Sequence, residues 1–148
     1  MTQRIDMDKA APAGIAAMNR LQSYVDGSGL EHSLLELVKT RASQINACAC
    51  CLDMHTKDAR AAGETEQRLY GLSAWREAPY YSERERAALA WTEAVTRIHG
   101  DIEDGIYEAL CKHFSEKEIV DLTLAVVTIN GWNRLAISFR TPPGTYEP

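Results

Sequence analysis

The feature that most constrains the fold is an apolar segment near the C-terminus, residues 119–135. The preceding Ser115-Glu116-Lys117-Glu118 has the residue types of a capping box, which predicts that a helix begins there. Thr141-Pro142-Pro143-Gly144 ends this helix and leaves residues 141–148 as a short tail. A helix that is apolar on nearly every side must be buried, either at the centre of a subunit or between subunits. The apolar residues that surround its axis are Ile119, Leu122, Leu124, Val126, Val127, Ile129, Trp132 and Leu135.

The rest of the chain shows helical periodicity and no convincing period-two alternation, which predicts an all-α fold. We expect a compact bundle of about six or seven helices in one domain, residues 1–148, with residues 1–11 as an N-terminal arm. A second capping box, Ser82 to Glu85, opens a helix with an apolar stripe from Ala87 to Ile98 that ends at Gly100. The other predicted helices cover residues 12–26, 31–45, 46–63, 65–75 and 101–113.

The net charge and the cysteine content exclude several classes of function. With a formal charge of −5, the chain lacks the concentrated Lys and Arg expected of a nucleic-acid or anionic-membrane surface. The sequence has no apolar N-terminal leader and no run of about 18 apolar residues, so we expect a cytoplasmic protein that does not cross a membrane. In the cytoplasm, four cysteines indicate catalysis, metal binding or packing rather than a disulfide framework.

The chemical candidate is Cys48-x-x-Cys51-x-x-x-His55, at the start of the predicted third helix, which Asn46 can cap. Residues three and four apart share a helix face, so the two sulfurs can meet and cycle between dithiol and disulfide. The free N–H groups and positive dipole end of a helix favour thiolate over thiol. Cys48 gains more from the helix end, whereas Cys51 gains more from His55, which can take its proton; physics alone leaves open which cysteine attacks first.

Zinc binding is the competing interpretation of these cysteines. Tetrahedral zinc needs four ligands, and the chain has no second Cys-x-x-Cys or His pair to complete the set, so redox chemistry is favoured and no metal or cofactor is assigned. Cys50 points away from the other two sulfurs on a helical wheel, and we expect Cys50 and Cys111 to be small buried packing residues.

Other polar residues are expected to have structural roles. His32, His99 and His113 are interpreted as surface or capping residues. Asp53, Lys57 and Asp58 are interpreted as solvated charges on the third helix, with Asp58 at the rim of the sulfur face. Polar residues on the otherwise buried last helix need partners, for which we expect interface hydrogen bonds: Asn130, Asn133 and Arg134.

Glu36 lies twelve residues before Cys48 and completes a larger motif. Glu36, Cys48, Cys51 and His55 together resemble the AhpD-like alkylhydroperoxidase family, part of the carboxymuconolactone decarboxylase group, whose motif reads Glu-x11-Cys-x-x-Cys-x-x-x-His. The resemblance extends from about Leu34 through Ile98, with a looser match over residues 130–140. It implies an all-helical subunit, with the Cys-x-x-Cys at the N-terminal end of a helix, that forms trimers or hexamers.

The resemblance also implies residue roles and partners. Cys51 would attack a hydroperoxide, Cys48 would resolve the product into a disulfide, and Glu36 with His55 would relay protons. A dithiol reductant, either a lipoylated or a thioredoxin-like protein, would restore the thiols. On periodicity alone Glu36 lies on the polar face of its helix, so we expect an assembly to bury it. The well-characterised members carry a second histidine where this chain has Cys50.

Two other functions remain as alternatives. Other branches of the same group are decarboxylases or isomerases of lactone-like metabolites, a chemistry with no obvious need for a dithiol. A non-catalytic helical module in which the cysteines hold zinc is the third hypothesis.

Overall fold

The computed structural model describes residues 2–148, and within this range the chain forms eight α-helices and one 3-10 helix, without a β-strand. This confirms the all-α prediction. The elements are α1 (Met7–Ala10), α2 (Pro12–Asp26), α3 (His32–Asn46), α4 (Ala49–Ala61), α5 (Glu66–Tyr70), the 3-10 helix (Gly71–Ala74), α6 (Glu83–Thr96), α7 (Asp104–Cys111) and α8 (Glu116–Phe139).

Both predicted capping boxes are present. The Ser82 hydroxyl accepts a hydrogen bond from the Glu85 N–H while the Glu85 carboxylate accepts one from the Ser82 N–H, and Ser115 and Glu118 repeat the pattern at α8. These reciprocal bonds satisfy backbone donors that have no partner inside the helix. They therefore fix the first turns of α6 and α8.

The centre of the bundle is α3 rather than α8. Every residue of α3 from Leu34 to Ser43 is buried, and the helix packs against α4, α6 and α8. By contrast, Val120, Val127 and Ile137 on α8 are about half exposed. Residues 2–148 therefore do not bury α8 on this face, and burial between subunits, the other expected alternative, stays a prediction. No helix among residues 2–148 has the length and apolar content needed to span a bilayer.

The junction between α3 and α4 differs from the prediction. Ala47 ends α3 in the left-handed conformation (φ 55°, ψ 40°), and Cys48 is the extended N-cap residue of α4. Asn46 is consequently the last residue of α3 and does not cap α4. Its side-chain amide instead donates to the side-chain oxygens of Asn130 (2.9 Å) and Asn133 (2.8 Å) on α8.

The polar groups of α8 find their partners inside the same chain. Asn133 donates to the Ser43 hydroxyl at 3.0 Å, and Arg134 donates to the Asn130 carbonyl at 2.9 Å. The expectation of interface hydrogen bonds was therefore wrong for Asn130 and Asn133, whereas for Arg134, which is exposed, it stays a prediction. The network ties α8 to the end of α3, immediately before Cys48.

Two other boundaries also differ. Residues 1–11 are not only an arm, because they contain α1, and the Arg4 N–H bonds to the Phe139 carbonyl at 2.9 Å. Helix α6 ends at Thr96, before Gly100, and Ile98 is exposed. The buried side of α6 includes Glu93, which Arg41 holds with an ion pair at 2.8 Å, so an apolar stripe alone could not identify that side.

Candidate redox site at the start of helix α4

Cys48 and Cys51 meet at the start of α4. They form a disulfide with the Cα atoms 5.4 Å apart, a normal separation for this bond. Both residues are buried, at 1% and 3% exposure, against Ala42, Ile129 and Ala136. The predicted dithiol pair is therefore assembled at a helix N-terminus in the core of the subunit.

Glu36 and His55 form the second pair of the site. The His55 ring Nδ1 lies 2.9 Å from the Glu36 carboxylate, and both side chains are buried, Glu36 with 2% exposure. Helix α4 of the same chain, rather than another subunit, covers the polar face of α3. Glu36 therefore reaches the site without the help of an assembly.

The charge on Glu36 is stabilised despite its burial. Burial by itself raises the pKa of this carboxyl, but the hydrogen bond to His55 and the charges of His55 and Lys39 outweigh it, so the pKa lies below the ordinary value. An ionised Glu36 can orient the imidazole and stabilise an imidazolium.

Lys39 belongs to the site and was not identified from the sequence. Its ammonium lies 3.0 Å from the Glu36 carboxylate and 3.2 Å from that of Asp26, and the residue is 6% exposed. Its position three residues after Glu36, on the same face of α3, was the available signal. His32, interpreted as a surface residue, is exposed, but its ring lies 3.8 Å from Glu36.

A cavity of about 400 Å³ opens beside these groups. Cys51 and His55 are part of its wall, whereas Cys48 is not. Its apolar lining includes Met7 on α1, Met54 on α4, and Trp132 and Ala136 on α8. A small molecule in the cavity would therefore meet the Cys51 sulfur before the Cys48 sulfur.

Cys50 also lines this cavity, although the helical wheel directed it away from the site. The wheel assumed that Cys48 is helical, but α4 begins only at Ala49, so the relative directions of the cysteines change. Cys50 is half-buried, and burial together with the charge of Asp53 raises the pKa of its thiol. The expectation of a buried Cys111 was wrong, because this residue is exposed at the end of α7.

Asp58 lies closer to the reactive groups than expected for a rim residue. One carboxylate oxygen of Glu36, one of Asp58 and one ring nitrogen of His55 lie within 4.8 Å of one another, and Asp58 also lines the cavity. Because the Lys39 ammonium already contacts Glu36, the positive charge that this carboxylate requires is supplied by the protein itself. We therefore assign no metal to this group.

The chain resembles known proteins over most of its length. Residues 12–94 match the model of the carboxymuconolactone decarboxylase family. The uncharacterized protein YdfG of Bacillus subtilis is 43% identical over 139 residues, which are 93% of this chain and 95% of the relative.

Two solved structures share the fold and more than a quarter of the sequence. A protein of unknown function from Agrobacterium tumefaciens, described as a candidate antioxidant defence protein AhpD, superposes with a TM-score of 0.94 at 46% identity, over 98% of this chain and all of that chain. An uncharacterized peroxidase-related protein from Silicibacter sp. TM1040 has a TM-score of 0.79 at 26% identity, over 88% of this chain and 70% of that chain.

Proposed function

The chain belongs to the carboxymuconolactone decarboxylase family, and on that premise we propose that it is a thiol-dependent peroxidase that reduces hydroperoxides through a Cys48/Cys51 dithiol–disulfide cycle. The observation that carries this proposal is the arrangement of the groups: Cys51 and His55 line one cavity, Glu36 is bonded to His55, and Cys48 lies within bonding distance of Cys51. AhpD-like and peroxidase-related proteins among the structural relatives support it.

The cycle conserves atoms and electrons. In the reduced protein the Cys51 thiolate attacks the terminal oxygen of a hydroperoxide; an S–O bond forms, the O–O bond breaks, and the alcohol leaves with one proton. The Cys48 thiolate then attacks the sulfur of the Cys51 sulfenic acid, and water leaves with a second proton as the disulfide forms. A dithiol donor exchanges with the disulfide and returns two electrons and two protons.

His55 transfers the protons of this cycle, and Glu36 supports it. His55 takes the proton from the Cys51 thiol and returns it to the departing alkoxide as a general acid. Glu36 holds the imidazole and stabilises its charged form, while Lys39 keeps the carboxylate ionised. Cys51 also lies in the first turn of α4, where the helix dipole favours a thiolate.

We also propose the partners implied by this cycle. The reductant is a lipoylated or thioredoxin-like protein, and a dithiol cycle is suited to a reducing compartment such as the cytoplasm. The protein assembles with itself, as a trimer or hexamer, through the exposed apolar side chains of Val120 and Val127 on α8 and the neighbouring Ile98.

The test is consumption of an organic hydroperoxide with a panel of dithiol donors. We expect turnover by the wild type, none by Cys51→Ser, and at most one equivalent of peroxide consumed without turnover by Cys48→Ser. Cys111→Ser is the matched control and retains full activity, because Cys111 is exposed on α7 outside the cavity. A native protein whose thiol count is unchanged by peroxide would contradict the proposal.

A decarboxylase or isomerase of a lactone-like metabolite is the second candidate. Two observations favour it: the family match, and a cavity larger than a small peroxide needs, lined by Gln22, Lys39 and Asp58 among other polar groups. Turnover of such a metabolite by protein whose thiols have been alkylated would favour this candidate over the peroxidase.

A further inference from the structure

The C-terminal tail, residues 141–148, packs against α4. The Gly144 N–H donates to the Asp53 carboxylate at 2.9 Å, and the Lys57 ammonium donates to the Tyr146 carbonyl at 2.8 Å. The Tyr146 hydroxyl donates to the Asp58 carboxylate at 2.7 Å. The charges of α4 that were expected to be solvated are therefore the groups that bind the tail.

One of these contacts reaches the reactive groups. Asp58 lines the cavity that Cys51 and His55 line, and one of its carboxylate oxygens lies within 4.8 Å of a ring nitrogen of His55 and of a carboxylate oxygen of Glu36. The tail contributes to the same wall through Thr141. His55 thus has two carboxylates near its ring, one held by Lys39 and the other held by Tyr146.

The two carboxylates are held by groups of different charge. Lys39 brings a positive charge to Glu36, whereas Tyr146 donates a hydrogen bond to Asp58 and remains neutral. The hydrogen bond to Asp58, burial and the charges of Asp58 and Glu36 raise the pKa of Tyr146 to about 12, so its hydroxyl remains a donor at physiological pH. Tyr146 therefore holds the Asp58 carboxylate without placing a positive charge beside it.

We propose that the C-terminal tail is a working part of the site, in which Tyr146 is a positioning residue that holds the Asp58 carboxylate beside His55. The negative charge favours the imidazolium form, the form that protonates a departing alkoxide. The role in turnover rests on the proposed function, whereas the placement of charge beside His55 is a property of the resting protein. The groups around His55 that carry or gain charge are Asp26, His32, Glu36, Lys39, Cys50, Asp58 and Tyr146.

The test follows the ring resonances of the histidines by NMR as the pH of the oxidised protein is changed, in the wild type, Asp58→Asn, Tyr146→Phe and the double variant. Asp58→Asn removes a charge within about 5 Å and should move the His55 midpoint to lower pH by about half to one unit. Tyr146→Phe should move it the same way by less, because Asp58 is then free to turn away. The double variant should match Asp58→Asn, since Tyr146 acts through Asp58.

Tyr24→Phe is the matched control, because the Tyr24 hydroxyl donates to Asp121 at 2.8 Å and neither residue lines the cavity. It removes the same kind of hydrogen bond and should leave the His55 midpoint unchanged. An unmoved midpoint in Tyr146→Phe, an equal shift in Tyr24→Phe, or shifts that add in the double variant would each overturn the proposal. The experiment uses no peroxide, so its outcome is independent of any failure to find peroxidase activity.

Discussion

Glu36 is the buried carboxylate that links His55 to Lys39 in the site. It contacts both His55 and Lys39, so Glu36→Gln leaves the Lys39 ammonium with Asp26 alone and weakens the bond to the imidazole. We expect a loss of about 1–3 kcal/mol in the free energy of unfolding, measured with urea. Glu108→Gln, at an exposed position on α7, should change it by less than about 0.5 kcal/mol. Equal losses in the two variants would show that the Glu36 contacts contribute nothing particular to stability.

The pH dependence of stability has a definite sign at the same residue. Because the pKa of Glu36 is lower in the folded protein than its ordinary value of 4.5, the ionised carboxyl stabilises the fold above that value, and this contribution is lost as the pH falls through the folded pKa. The difference in unfolding free energy between wild type and Glu36→Gln should therefore shrink on acidification below about 4.5. A difference that grows in acid would contradict this assignment.

The sequence predicted the site residues that belong to a short motif, but not the charged residues that pack around them. Cys48, Cys51, His55 and Glu36 follow from spacing and resemblance, and the structure brings them together. Lys39 and Asp58 were not assigned to the site, since a charged side chain on a helix is usually solvated and only tertiary packing of α3 on α4 determines otherwise.

At the scale of elements, the α3–α4 junction is where local signals failed. Asparagine is common both at helix N-caps and in the left-handed conformation at helix ends. Asn46 takes neither role, and its side-chain amide bonds to α8 instead. The left-handed residue is Ala47, which has no sequence signal for that conformation. The capping boxes succeeded because both of their partners lie within four residues of one another.

The strain at this junction is measurable. Ala47→Gly should stabilise the protein by up to about 1 kcal/mol, because glycine adopts a positive φ without steric cost. Ala49→Gly, two residues later in the first turn of α4, should instead destabilise it by about 0.5–1 kcal/mol. Urea midpoints of the two variants give the comparison, and shifts of the same sign would show that the Ala47 backbone is not strained.

At the scale of the whole molecule, residues 2–148 leave the apolar face of α8 with Val120, Val127 and Ile137 exposed. Val127→Asp should convert the expected trimer or hexamer into a smaller species with unchanged helical circular dichroism, as measured by sedimentation, because a charge at the centre of an apolar interface is costly. Tyr70→Asp, at an exposed position on α5, is the control and should leave the assembly intact. Unchanged sedimentation of the Val127 variant would place the interface elsewhere.

The fold class, the single bundle of helices and most of their bounds were predictable because the apolar periodicity repeats over many residues. Which helix is central was not predictable, because α3 buries Glu36, Lys39 and Arg41 in ion pairs, and apolar periodicity does not indicate that charged side chains are buried. The packing of residues 141–148 on α4 could not be predicted from the sequence either, because its contacts join residues about 90 positions apart.

The most direct test of the central claim is to identify the sulfur that peroxide oxidises first. Reduced Cys48→Ser protein is treated with one equivalent of an organic hydroperoxide and a sulfenic-acid trap, and the labelled peptide is located by mass spectrometry. We expect the label on Cys51, which lines the cavity, and none in the Cys48→Ser/Cys51→Ser double variant. A label on Cys50, or no label on any cysteine, would contradict the proposed cycle.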